Sequence, residues 1–222
     1  MGVAAVVPAA GSGLRLGAGM PKALVRVAGV AMVARAVDGL LASGVVDDVV
    51  VVAPPEHLDA MAEVTTAGRV VPGGPDRVAS VALGLAEVRD ANVVLVHDAA
   101  RCLCPASVVA SVVAAVRAGH GAVVPAIPVA DTVRRVDADG HVVDLVDRTG
   151  LLAVQTPQGF DAEVLRRAHA AAGELRATDD AGLVEAIGGE VVTVPGDPRA
   201  FKITSALDLA MAEALVRTEL EP

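Results

Sequence analysis

This chain contains no tryptophan and no tyrosine, and its phenylalanines number 2. Stacking of bases on aromatic platforms, the usual way to hold single-stranded nucleic acid, is therefore closed to it. Basic residues are outnumbered, 18 against 27 acidic ones, for a formal net charge of −9. A surface of that sign repels a phosphate backbone, so no nucleic-acid partner is expected. Any anion site has to be a local cluster of cations in an acidic protein. Cysteine occurs only as Cys102 and Cys104. That spacing does not suit a metal and no second pair completes a site, so both read as unpaired thiols of a reducing cytoplasm. No apolar run approaches the roughly 18 residues of a membrane helix. No basic stretch opens the chain, and Val6 stands where a myristoylation signal needs Ser or Thr, so neither secretion nor a membrane is expected.

What the chain does have is aliphatic. Hydrophobic residues make up 54% of 222, mostly Val, Ala and Leu, which is enough for one well-filled core. The expected organisation is a single domain over 1–222, with 128–154 as an inserted β-arm. Everything is arranged around Val3 to Lys22. The apolar run Val3–Val7 reads as a buried parallel strand, and Pro8 ends it by removing a donor. A loop of small residues follows, with Gly11, Gly13, Gly17 and Gly19 and the cations Arg15 and Lys22, and without an acid. Glycines let backbone N–H groups approach a ligand closely, so this loop suits a nucleotide triphosphate. The P-loop pattern fails, because Met20-Pro21 precede Lys22 and Ala23 follows it. The dinucleotide pattern fails at Leu16, where its third glycine belongs. Taken alone, the loop reads either as an anion cradle or as an ordinary strand-to-helix turn.

Further on, apolar runs alternate with helical periodicity. Strands are predicted near Leu24–Val27, Val45–Ala53, Arg69–Val71, Asn92–Val96, Gly121–Pro125 and Glu190–Val194. Helices are predicted over Met32–Leu41, Leu58–Val64, Val78–Val88, Pro105–Arg117, Ala162–Ala172, Asp179–Ile187 and Ala206–Arg217. The rhythm predicts an α/β fold, a Rossmann-like mostly parallel sheet with helices on both faces. The turns after Val7, Val71 and Val96 then fall along one sheet edge, where such folds bind ligands. Between Pro128 and Val154 the rhythm breaks into charged alternation around Asp139-Gly140, a β-hairpin that should project from the domain.

The motifs PAAGSGLRL, PK, GGPDR, SV, VHDAAR, DT, VDR, TPQ, TDDA and FKIT give the chain a resemblance that runs nearly end to end. It resembles the 2-C-methyl-D-erythritol 4-phosphate cytidylyltransferases of the non-mevalonate isoprenoid pathway. Departures are slight: Cys102-Leu103-Cys104 replaces a common Pro after HDAAR, and Thr178-Asp179-Asp180 replaces TDE. The resemblance implies transfer of CMP from CTP to methylerythritol phosphate, with release of pyrophosphate. One anion must then approach another, so the chemistry calls for cations rather than a covalent nucleophile. By the resemblance, Arg15 and Lys22 clamp the phosphates, and Lys202 adds a third cation beside the α-phosphate. Asp98 positions Mg²⁺, which favours one or two carboxylates plus substrate oxygens. Pro8, Ala9, Ala10, Gly11, Gly13, Gly74, Asp76, Arg77, Ser80 and Ala99 surround the nucleotide. Asp131, Thr132 and Arg148 on the hairpin grip methylerythritol phosphate. The resemblance also implies a homodimer in which the hairpin, as a dimerisation arm, reaches the neighbouring active site.

Plainer readings stand beside these: Asp98 as a loop cap, Ser80 as a helix-surface serine, Lys202 as a surface lysine. Arg101 is expected to brace the Asp98 loop by a salt bridge, and His97 to be structural. The alternative activities are cytidylyl transfer to another polyol phosphate, such as ribitol 5-phosphate, and nucleotide binding without catalysis.

Overall fold

The computed structural model describes residues 2–10, 20–65, 68–173 and 177–220. Gly11, Gly13 and Arg15, named above as site residues, lie outside the described residues. The first strand, β1 (Gly2–Pro8), is buried at every position except its two ends. Its side chains alternate: Val3, Ala5 and Val7 join one core cluster, Ala4 and Val6 another. A strand covered on both faces needs apolar residues at every position, which is why it reads as an unbroken run.

Two short strands, β2 (Arg26–Val27) and β3 (Val30–Ala31), form a small hairpin whose turn places Gly29 at φ +82°. Helix α1 (Met32–Ala42) follows and stops at Gly44, φ +72°. Then come β4 (Asp48–Ala53), α2 (Leu58–Val64), β5 (Arg69–Pro72) and α3 (Arg77–Glu87). Asp76 caps α3 by accepting the Ala79 N–H at 2.8 Å. After β6 (Ala91–Val96), α4 (Ala106–Arg117) and β7 (Ala122–Pro128) the chain leaves the domain as the arm. The arm carries β8 (Val133–Val136) and β9 (Val142–Val146), paired antiparallel, with Gly140 at φ +85° between them. It returns through β10 (Leu152–Val154) to β11 (Gln158–Asp161), α5 (Ala162–Ala171), α6 (Asp180–Ala186), β12 (Val191–Pro195) and α7 (Ala206–Leu220).

The main sheet runs β10-β7-β11-β6-β1-β4-β5, and β12 pairs with β7. Strands β1, β4, β5 and β6 are parallel neighbours, as β7 and β12 are. The rhythm-based reading needs one amendment. Strands β10 and β11 are antiparallel, and β11 had not been anticipated. It fits between β6 and β7 because Gly159 has no side chain: a Cβ there would meet Val112 Cγ1 at 2.4 Å. Phe160 beside it is wholly buried, a contribution of about 1.5–3 kcal/mol.

Helices cover both faces. Val33, Val37, Val109 and Val113 of α1 and α4 pack on one side, and Val81, Leu165 and Val184 of α3, α5 and α6 on the other. A third cluster seats α7, through Ala212 and Val216, against Val27 and Met32. Among the described residues, no helix is long and apolar enough to cross a membrane.

Candidate active site

The carboxyl ends of the parallel strands open into a cleft of about 280 Å³. Its walls come from the three turns after β1, β5 and β6, joined by Lys22 and Lys202. Each turn is tied to the sheet it leaves. Ala9 donates its N–H to Val52 O at 2.7 Å, Gly73 to Ala53 O at 2.8 Å, and His97 to Val6 O at 2.9 Å. Pro8, Ala9 and Ala10 line the cleft from the first turn, and Lys22 enters it at the start of a 3₁₀ turn, Lys22–Leu24.

The second turn supplies Gly74, Asp76 and Arg77. A Cβ on Gly74 would stand 2.7 Å from the Ala79 Cβ, so the loop can lie this close to α3 only with glycine there. Ser80 is buried, which removes the reading of it as a surface serine. Its hydroxyl donates to Asp76 O at 2.7 Å and accepts the Gly74 N–H at 3.1 Å. Ser80 therefore holds the glycine turn in shape from beneath.

The third turn carries Asp98, whose side chain makes no cap bond to the 3₁₀ turn Ala99–Arg101. The loop-cap reading fails for that reason. Its Oδ2 lies 2.7 Å from Lys202 Nζ and 4.0 Å from Arg101 Nε, while Oδ1 lies 3.9 Å from Arg77 Nη2. Burial alone would push this carboxyl up, but Lys202, Arg77 and Arg101 hold it below the usual carboxylate range. Asp98 is thus an ionised, largely buried group with cations on both oxygens. Oδ1, with Arg77 at 3.9 Å, belongs to a side chain that lines the cleft. A cleft lined by few carboxylates, Asp98 and Asp76, suits Mg²⁺, which takes one or two protein oxygens and keeps much of its shell for other ligands.

Lys202 reaches the cleft from outside any strand or helix. It lies in an irregular stretch after the 3₁₀ turn Pro198–Ala200, where Ile203 donates its N–H to Ala100 O at 2.9 Å and so fixes Lys202 beside Asp98. Lys202 is exposed, as the surface-lysine reading has it, but its ammonium is paired with Asp98 at 2.7 Å. Arg101 braces this corner, donating to Ala200 O at 2.8 Å and Val154 O at 3.3 Å. Below it Thr156 Oγ1 accepts the Asp98 N–H at 3.0 Å and lies 3.1 Å from His97 Nδ1. Burial pushes the His97 pKa down to about 4, so the ring is neutral and structural. Burial likewise pushes Cys102 up to about 11 and Cys104 up to about 12, which leaves both free thiols unreactive.

Sequence reading overlooked two supports. Gln155 is buried and clasps Asp197 in both directions, Nε2 to Asp197 O at 2.8 Å and Asp197 N–H to Oε1 at 3.1 Å. Arg77 pairs with buried Asp180 at 2.8 Å. No periodicity marks a buried Gln or Asp, and only the helix-start pattern around Asp179 was visible.

Asp131, Thr132 and Arg148 stand apart. All are exposed and none lines the cleft, and Arg148 donates to Ala130 O within the arm. Around them Val136, Val142, Val143 and Leu145 are each more than half exposed, at 54%, 61%, 62% and 54%. At the hairpin turn, Asp137, Asp139 and His141 could together hold a cation, but they are exposed and away from the cleft.

Comparison with known proteins places this arrangement. The family model for 2-C-methyl-D-erythritol 4-phosphate cytidylyltransferase matches residues 3–218. A protein of that name from Saccharopolyspora erythraea is 58% identical, over 97% of this chain and 100% of its own length. One from Rhodococcus opacus is 55% identical, over 96% of this chain and 95% of its own. The crystal structure of the Thermus thermophilus protein of the same name superposes with TM-score 0.84 at 38% identity, covering 98% of this chain and 100% of that one. The chain belongs to the 2-C-methyl-D-erythritol 4-phosphate cytidylyltransferase family.

Proposed function

We propose that this protein transfers CMP from CTP to 2-C-methyl-D-erythritol 4-phosphate, giving 4-diphosphocytidyl-2-C-methyl-D-erythritol and pyrophosphate, a step of isoprenoid precursor synthesis. The observation that carries the reading is the meeting of Lys22, Asp98 and Lys202 in one cleft at the carboxyl edge of the sheet. In the reaction a phosphate oxygen of the alcohol attacks the α-phosphorus, and the bond to the bridging oxygen of pyrophosphate breaks. Lys22 and Arg15 hold the phosphates as charge builds on them. Lys202, steered by Asp98, presents its ammonium to the α-phosphate. Asp98 would hold Mg²⁺, which when bound would supply further positive charge against the triphosphate.

Pro8, Ala9, Ala10, Gly11, Gly13, Gly74, Asp76, Arg77 and Ala99 enclose the nucleotide, with backbone groups at Ala9, Ala10 and Gly74 reading cytosine. Ser80 serves that reading by fixing Gly74. Asp131, Thr132 and Arg148 bind methylerythritol phosphate, Arg148 as a two-pronged phosphate donor. They do so from the arm of a second subunit, in a homodimer of one-domain chains (1–222, arm 128–154). The apolar side chains exposed along the arm support this, since a lone hairpin is marginal in water and a two-fold partner offers the same surface. A cytoplasmic enzyme suits the free thiols. The test is pyrophosphate release from CTP with a panel of polyol phosphates. Methylerythritol phosphate should give the fastest release, and a faster reaction with ribitol 5-phosphate would transfer the assignment to that alcohol.

A further inference from the structure

Arg77 lines the cleft, yet its closest acidic partner is Asp180, which does not. Its Nη2 is 2.8 Å from Asp180 Oδ2 and 3.9 Å from Asp98 Oδ1. Asp180 opens α6 and is fully buried, and its Oδ1 lies 2.9 Å from Nε2 of His169 on α5. Both flanks of Asp180 are pinned to the sheet by Gln158 of β11. Its Nε2 donates to Asp179 Oδ2 at 2.8 Å, and its Oε1 accepts the Ala181 N–H at 3.2 Å. Asp180 is therefore a fixed point, and Arg77 is the long side chain tethered to it.

A buried ion pair is a poor source of stability, because desolvation offsets the attraction and well-packed apolar groups often do as well. The charge of Asp180 has a more specific consequence here. A guanidinium between two carboxylates goes to the one that holds it better. If Asp180 lost its charge, Asp98, 3.9 Å from Arg77 Nη2, would exert the stronger remaining pull, ahead of Asp179. Arg77 would then close on Asp98, neutralise it further, and give up its present place along the cleft.

We infer that Asp180, held by His169, is a positioning residue that keeps Arg77 at the cleft wall and off Asp98, so that the cleft is set to receive a nucleoside triphosphate. This rests on the cytidylyltransferase reading above. It extends the nucleotide site to two residues, on α5 and α6, that line no part of the cleft.

The test is a double-mutant cycle read as CTP affinity by titration calorimetry, in the presence of magnesium and without the alcohol. Asp180→Asn should weaken CTP binding by about tenfold, the effect of one charge-assisted contact. It should raise KM for CTP in turnover while kcat changes little. Combined with Arg77→Met, Asp180→Asn should cost nothing further, because no guanidinium remains to be positioned. Losses that multiply in the double variant would mean that Asp180 acts elsewhere, and the inference would be wrong. Should Asp180→Asn not fold, His169→Gln serves the same cycle, with weaker CTP binding expected in the native background and no change beside Arg77→Met. A His169→Gln protein that binds CTP as tightly as the native one contradicts the inference. Native protein that binds CTP but transfers nothing to methylerythritol phosphate overturns the functional reading alone. Native transfer with unaltered CTP binding in the variants overturns the inference alone. Native protein that binds no CTP overturns both.

Discussion

The cleft and the arm are built on opposite plans. At the cleft, Asp98 faces Lys202, Arg77 and Arg101 of its own chain, and Arg101 in turn grips two carbonyl groups. On the arm, Asp131, Thr132 and Arg148 stand in water and Val142 and Val143 are more than half exposed, at 61% and 62%. The cleft could bind a nucleotide by itself. The arm presents polar and apolar side chains alike to the outside. On the proposed reading, a single chain holds one half-site in its cleft and another on its arm that needs a second surface.

The contrast can be broken most sharply at Lys22. Lys22→Ala should lower turnover by about a hundredfold or more, the usual cost of a lost charge-stabilising donor, while the melting temperature stays near that of the native protein. Near-normal turnover at saturating CTP would remove Lys22 from the chemistry.

Acid should reach the cleft through its floor. An unfolded histidine takes up a proton near pH 6.5, whereas folded His97 resists until about pH 4. The unfolded chain binds more protons between those values, so stability is full above that window and falls as pH drops through it. The loss from this residue is on the order of 3 kcal/mol. Denaturant midpoints between pH 7 and pH 4 should show it, and His97→Gln should flatten the slope. An equal slope in that variant would assign the acid sensitivity elsewhere.

Asp98→Asn keeps the shape and removes the charge. The magnesium concentration at half-maximal activity should rise by about tenfold, as expected when a carboxylate ligand becomes an amide. An unmoved midpoint would leave Asp98 as the tether of Lys202 alone. Smallest are the expected effects on folding at the arm. Val142→Asp and Val143→Asp should shift the protein to a smaller species in sedimentation, yet change the stability of that species by less than about 0.5 kcal/mol. A large loss of monomer stability would mean that the arm packs on its own domain.

The same contrast explains what could be read before the structure. The strands β1, β4 and β6 announce themselves as unbroken valine-rich runs, and the hairpin by its alternation around Asp139-Gly140. The turns after β1, β5 and β6 meet because parallel strands bring their carboxyl ends together, a consequence of topology and not of any one motif. Strand β11 stayed hidden because Gln158-Gly159-Phe160-Asp161 has no period, and its fit depends on Gly159 clearing Val112. Lys202 carried no signal in its own surroundings, since a backbone bond from Ile203 to Ala100 places it. Asp180 read as an ordinary helix start, because burial and pairing with Arg77 are decided by distant elements.

The central claim, that the site joins the cleft of one chain to the arm of another, is most directly tested by mixing two inactive variants. Lys22→Ala lacks a cleft cation, and Arg148→Ala lacks an arm donor. After subunit exchange, a mixed dimer holds one site with Lys22 from one chain and Arg148 from the other. The account predicts that CMP transfer to methylerythritol phosphate reappears on mixing, in proportion to the mixed dimer formed. Exchange shown by mass spectrometry with no return of activity would contradict it, and would place Arg148 in service of its own subunit.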